Sequence, residues 1–69
     1  MSPEIGSPAW LSMRRRELAQ EWALLPTGKV HASIREVQDV AQELGVDWLF
    51  MTKWQMIRSI QAVGLTSLH

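Results

Sequence analysis

Apolar positions recur at helical spacing in three stretches of the chain. The clearest is residues 33–44, where Ile34, Val37, Val40, Ala41 and Leu44 follow one another at steps of three and four. Ser33 and Glu36 have the spacing of a capping box, and Gly45 stands where a helix closes in a left-handed turn, with Val46 able to fold back on its end. An earlier helix is predicted over about 8–25. Ser7 serves as N-cap and Pro8 opens the first turn. Leu11, Leu18, Trp22 and Leu25 share one face, and Pro26, Thr27 and Gly28 begin a loop to about residue 32. Residues 46–51 are too short for a helix and read as an extended link. Thr52 and Gln55 form a second capping box, and Met56, Ile57, Ile60 and Val63 cluster on one side of a last helix that Gly64 is expected to end.

The pattern predicts an all-α domain of three helices. An N-terminal helix (about 8–25) packs on a helix–extended–helix unit (about 33–44 and 52–63). Residues 1–7 read as a flexible arm, 8–65 as one domain and 66–69 as a tail.

Composition narrows how such a domain is held together. The chain has 69 residues, 46% of them apolar, with four Trp, no Cys and two His. A disulfide or a zinc site is therefore not expected, and packing must supply the stability. Catalysis is not expected either. His31 stands alone in a loop, His69 is terminal, and no nucleophile–base set, metal-ligand cluster or phosphate-cradling glycine loop is present. No cofactor is implied. No apolar run approaches the roughly 20 residues of a membrane span, so the expectation is a cytoplasmic protein without membrane contact.

Formal net charge is zero, yet charge is unevenly placed. Residues 1–16 set Glu4 against Arg14, Arg15 and Arg16. Residues 17–47 set six acids against Lys29 and Arg35, whereas residues 48–69 hold Lys53 and Arg58 and no acid.

The segment "SIREVQDVAQELGVDWLFMTKWQMIRSIQ" carries a family pattern. Ile34 and Val37 open its first helix and Leu44-Gly45-Val46 closes it. Met51, Lys53, Met56-Ile57 and Ile60 match the signature Met-x-Lys-x-x-Leu-Ile-x-x-Ile. Over these residues the chain resembles the N-terminal domain of transcription termination factor Rho, a helix–extended–helix fold related to SAP domains. The resemblance implies nucleic-acid binding, to DNA or RNA. In Rho the main RNA contacts lie in a separate OB-fold domain, which is not read in these residues. The family's signature is richer in Lys and Arg, and the first 25 residues lie outside the pattern.

The candidate nucleic-acid contacts are Thr52, Lys53, Trp54, Arg58 and Lys29. Lys53 follows the N-cap of the last helix, where free N–H groups and the positive dipole end suit a phosphate, although Asp47 could also meet it. Trp54 falls outside the core arc beside Arg58, four residues on. The two could form a cation–π pair, or a stacking platform with a charge beside it. Glu36, Asp39 and Glu43 form an acidic stripe that repels phosphate and is available to Arg14, Arg15 or a basic partner.

A protein-binding alternative uses Trp48, Phe50, Arg14, Arg15 and Arg16. Of the three bulky residues Trp48, Leu49 and Phe50, at least one must face outward. Trp48 is the expected anchor unless the N-terminal helix covers it. Consecutive arginines fan around a helix, so Arg14–Arg16 equally suit local ion pairs. The leading expectation is a small nucleic-acid-binding accessory protein. The alternative is a module docking on transcription or replication machinery. A monomer is expected, with a homodimer through Trp10, Met13 and Leu24 as the other state.

Overall fold

The structure, a computed structural model, describes residues 3–66. Three helices form: α1 (Pro8–Ala23), α2 (Ile34–Glu43) and α3 (Lys53–Thr66), with one 3-10 turn at Thr27–Lys29. The all-α three-helix architecture is the one the apolar pattern predicts. The far ends of the expected arm and tail, including His69, lie outside the described residues.

Local chemistry sets most of the helix ends. The Ser7 hydroxyl accepts from the Trp10 amide at 3.2 Å and starts α1. Ser33 does the same for the Glu36 amide at 3.1 Å. At Thr52 both halves of the capping box are made. Its amide donates to Gln55 Oε1 at 2.8 Å, and its hydroxyl accepts from the Gln55 amide at 3.2 Å. Helix α2 closes as Gly45 turns to φ 73°, with Val46 N–H donating to Ala41 O and Gly45 N–H to Gln42 O. Helix α1 stops at Ala23 rather than Leu25, because Leu24 N–H and Leu25 N–H take the tighter bonds to Glu21 O and Trp22 O before Pro26.

Ile57 and Ile60 of α3 and Val37, Val40 and Ala41 of α2 are fully buried, with Met56, Ala19, Trp22 and Val30 closing the core around them. Three expected core positions miss it. Leu11 and Leu25 fall at the two ends of α1, beyond its neighbours, and Ile34 projects from the first turn of α2. Leu11 and Ile34 keep the expected helical angle near the ends of their helices, whereas Leu25 lies past the end of α1.

Gly64 does not end α3. It is buried inside a helix that continues to Thr66, against Ala19 and Ala23 of α1. Val63, the expected core residue beside it, sits on the rim. Small residues on both helices let α1 and α3 make the largest helix–helix contact in the molecule.

A polar clamp holds the same two helices. Gln61 Nε2 donates to Trp22 O and Leu25 O, both at 2.8 Å, and Gln61 Oε1 accepts from the Thr27 hydroxyl at 2.8 Å. One amide thus gives Leu25 O a donor beyond the end of α1 and gives Trp22 O a second one beside the Leu25 amide. Gln61→Ala is expected to cost about 1–1.5 kcal/mol, with water replacing part of the clamp at this half-exposed site. Urea denaturation of the two proteins measures the difference. An unchanged midpoint would show that the clamp adds nothing.

Candidate nucleic-acid interface

The link between α2 and α3 is a turn rather than an extended crossing. Met51 N–H donates to Trp48 O at 3.0 Å and closes a four-residue turn over residues 48–51, while the Asp47 carboxylate accepts from Leu49 N–H at 3.5 Å. This geometry decides which bulky side chains face out. The residues flanking the turn, Trp48 and Met51, point back and pack against the core. The corner residues project away, leaving Leu49 68% and Phe50 93% exposed. Trp48 is therefore the covered residue of the three, and Leu49 and Phe50 are the ones that face outward.

Met51 and Met56 occupy the two positions of a hydrophobic staple around the Thr52 cap, one against the core and the other inside it. They fix the angle at which the chain enters α3. The hydroxyl and the amide of Thr52 are both committed to the capping box, so Thr52 orients the helix rather than offering a free group. Among the described residues, the backbone N–H groups of Lys53 and Trp54 are left without a protein acceptor.

Lys53 is half-buried, at the helical angle of the core residues Ile57 and Ile60. No carboxylate among the described residues lies within ion-pair distance of it, and Asp47 faces the Leu49 amide instead. Trp54 is 48% exposed, and Arg58, one turn further along the same flank, is exposed as well. Arg58 also has no acid partner among the described residues.

Lys29 is exposed on the 3-10 turn, two residues after Thr27. The bond from Thr27 to Gln61 ties that turn to α3. Gln61 and Trp54 are seven residues apart, hence on one helix face and about 10 Å apart along the axis. The fold thus gathers Trp54, Arg58 and the Lys29 turn along one side of α3. Lys53 and Thr52 stand at its N-terminal end.

The arginines of α1 behave differently. Arg14 binds Glu17 and Glu21, each at 3.3 Å. Its pKa is raised, first by the hydrogen bond and charge of Glu21 and then by those of Glu17. Arg16 reaches Glu43 of α2 at 3.6 Å, and Ser12 donates to the same carboxylate at 2.7 Å. Of the acidic stripe, Glu43 is therefore met by Arg16 and Ser12, and not by Arg14 or Arg15. Consecutive residues fan by about 100°, and Arg16 is the one whose angle faces α2. Arg15 is half-buried and has no ion pair among the described residues.

Two contacts had no signal in the sequence: the Gln61 clamp and the Ser12–Glu43 bond. Both join residues more than thirty positions apart, and neither residue pair has a characteristic spacing. Of the three residues considered for a homodimer, Leu24 is well exposed at the end of α1, whereas Trp10 is half-buried and Met13 lies near the boundary between the two. No helix is long and apolar enough to cross a membrane, and no cluster of three His, Cys, Asp or Glu able to hold a metal occurs among the described residues.

No protein-family model, curated protein or solved structure matches this chain, so its likeness to the Rho N-terminal family rests on the pattern of residues 34–60 alone.

Proposed function

We propose that this protein is a small non-enzymatic nucleic-acid-binding module of the Rho N-terminal/SAP-like type, which grips the phosphate backbone through the N-terminal half of α3. One observation carries this reading. The cations Lys53 and Arg58 have no acid partner among the described residues and flank an exposed Trp54, on a segment without a single acid from Trp48 to Thr66. Arg14 and Arg16, in contrast, are already paired on the scaffold. In the proposed complex, a phosphate lies on the Lys53 and Trp54 amides with the Lys53 ammonium beside it, and Arg58 and Lys29 hold phosphates further along.

Labelled DNA and RNA oligonucleotides titrated at about 50 and 200 mM salt test this, because counterion release makes phosphate binding weaken with salt. Trp54→Ala is expected to weaken binding by roughly 1–3 kcal/mol, the range for an aromatic that stacks on a base. A folded Trp54→Ala protein with wild-type affinity would remove Trp54 from the interface.

A second reading, a protein-docking module, is favoured by the neutral net charge and by the apolar corner Leu49–Phe50. It predicts no salt-dependent binding to any oligonucleotide, and loss of a partner on mutation of Phe50.

A further inference from the structure

The turn before α3 carries an aromatic ring that the fold does not use. Corner positions of such turns favour Gly, Asn, Asp and Ser, which serve the backbone and tolerate water. Here the corner is Phe50, 93% exposed, while Trp48 and Met51 on either side make the turn's contacts with the core. Four residues later Trp54 is also half outside. Between them lie Met51, the Thr52 cap and Lys53, and four residues of chain span at most about 14 Å. Two aromatic rings thus flank the N-terminus of α3, with Lys53 between them in the chain and Arg58 one turn beyond.

Resting on the proposed nucleic-acid binding, we infer that this face takes a single strand rather than a duplex, with Phe50 and Trp54 each stacking on an unpaired base. In a duplex the faces of the bases are covered by their neighbours, and only phosphates and groove edges are open to a protein. Flat rings beside the backbone would find nothing to stack on. An unpaired base offers its face, and stacking tolerates any sequence. The charge count agrees. A protein of zero net charge with two or three cations at the site gains little from counterion release alone, so stacking has to supply much of the affinity. The absence of acids from Trp48 to Thr66 keeps the path of the strand free of repulsion.

Fluorescence anisotropy with labelled oligo-dT and oligo-U of about twelve nucleotides, and with a duplex of equal length, tests the inference directly. The single strands are expected to bind more tightly than the duplex. Phe50→Ala and Phe50→Leu should each weaken single-strand binding by about 5- to 150-fold, whereas Phe50→Tyr, which keeps the ring, should retain it. Equal affinity for strand and duplex, with Phe50→Ala unchanged, overturns the single-strand inference and leaves the nucleic-acid function standing. No salt-dependent binding of any oligonucleotide by the unmutated protein overturns that function and this inference together. Helical circular dichroism of each variant confirms its fold, which a change at so exposed a side chain should not disturb.

Discussion

Gly64→Ala is expected to destabilise the protein, although a helix interior ordinarily gains about 1 kcal/mol from that change. A Cβ at this position would overlap the carbonyl oxygen of Ala19, lie 2.9 Å from its carbonyl carbon and come 3.1 Å from Ala23 Cβ. Most of the obstacle is backbone, which cannot swing aside as a flexible side chain can. Relief requires α1 and α3 to move apart, and with them the Gln61 clamp. Overpacking of this kind costs about 1–3 kcal/mol and sometimes more. After the propensity gain, a net loss of about 1 kcal/mol is expected, or some 4–8 °C in Tm for a domain of this size. Gly64→Val should cost about 3 kcal/mol or more, a large part of the roughly 3–10 kcal/mol available to a chain this short. Thermal melts of the three proteins read the sign directly. An alanine variant that melts higher than the parent would mean that Gly64 merely sits in a helix and that no close approach depends on it.

The second large effect lies across the same interface. Trp22 is the bulkiest residue of the core, only 6% exposed, and is the main anchor of α1. Its removal leaves a void bounded by buried side chains of the other helices, and Trp22→Ala is expected to cost about 3–5 kcal/mol. Trp22→Phe, which keeps most of the volume, should cost much less. Chemical denaturation of both variants measures the difference. If the alanine protein kept nearly full stability, the α2–α3 pair would be shown to stand without α1.

The two positions also mark what the sequence could and could not disclose. Helix starts were legible because a cap is local chemistry. Ser7, Ser33, and Thr52 with Gln55 each act on an amide three residues away, within a single window of sequence. The closing turn at Gly45 was legible for the same reason. Gly64 was not, because a glycine after an apolar run looks the same whether it ends the helix or lets another helix approach. Only the position of Ala19 on α1 separates the two.

Helical angle identified Met56, Ile57 and Ile60 as core, and it put Trp54 and Arg58 outside. It erred at Leu11, Ile34 and Val63, since angle carries no information on where along its axis a helix meets its neighbours, and at Leu25 because α1 stops at Ala23. The direction of Trp48 was lost for another reason. Three bulky residues in a row require one to face outward, but which one depends on whether the link is extended or turned. The turn sends Trp48 inward and leaves Phe50 out, so of the two aromatic candidates in the link only Phe50 is fully available.

The pairing of the first helix with the last has a consequence for how the molecule is made. The partner that Ala19 and Trp22 need is Gly64 and its neighbours, 41 residues beyond the last residue of α1. A ribosome adding about 5–20 residues per second takes roughly 2–8 s to cover that distance. Until α3 is made and released, α1 has only α2 to pack on, and the side of Ala19 and Ala23 that Gly64 covers in the finished fold has no partner. A substitution at Gly64 would prolong that exposed state as well as weaken the finished fold.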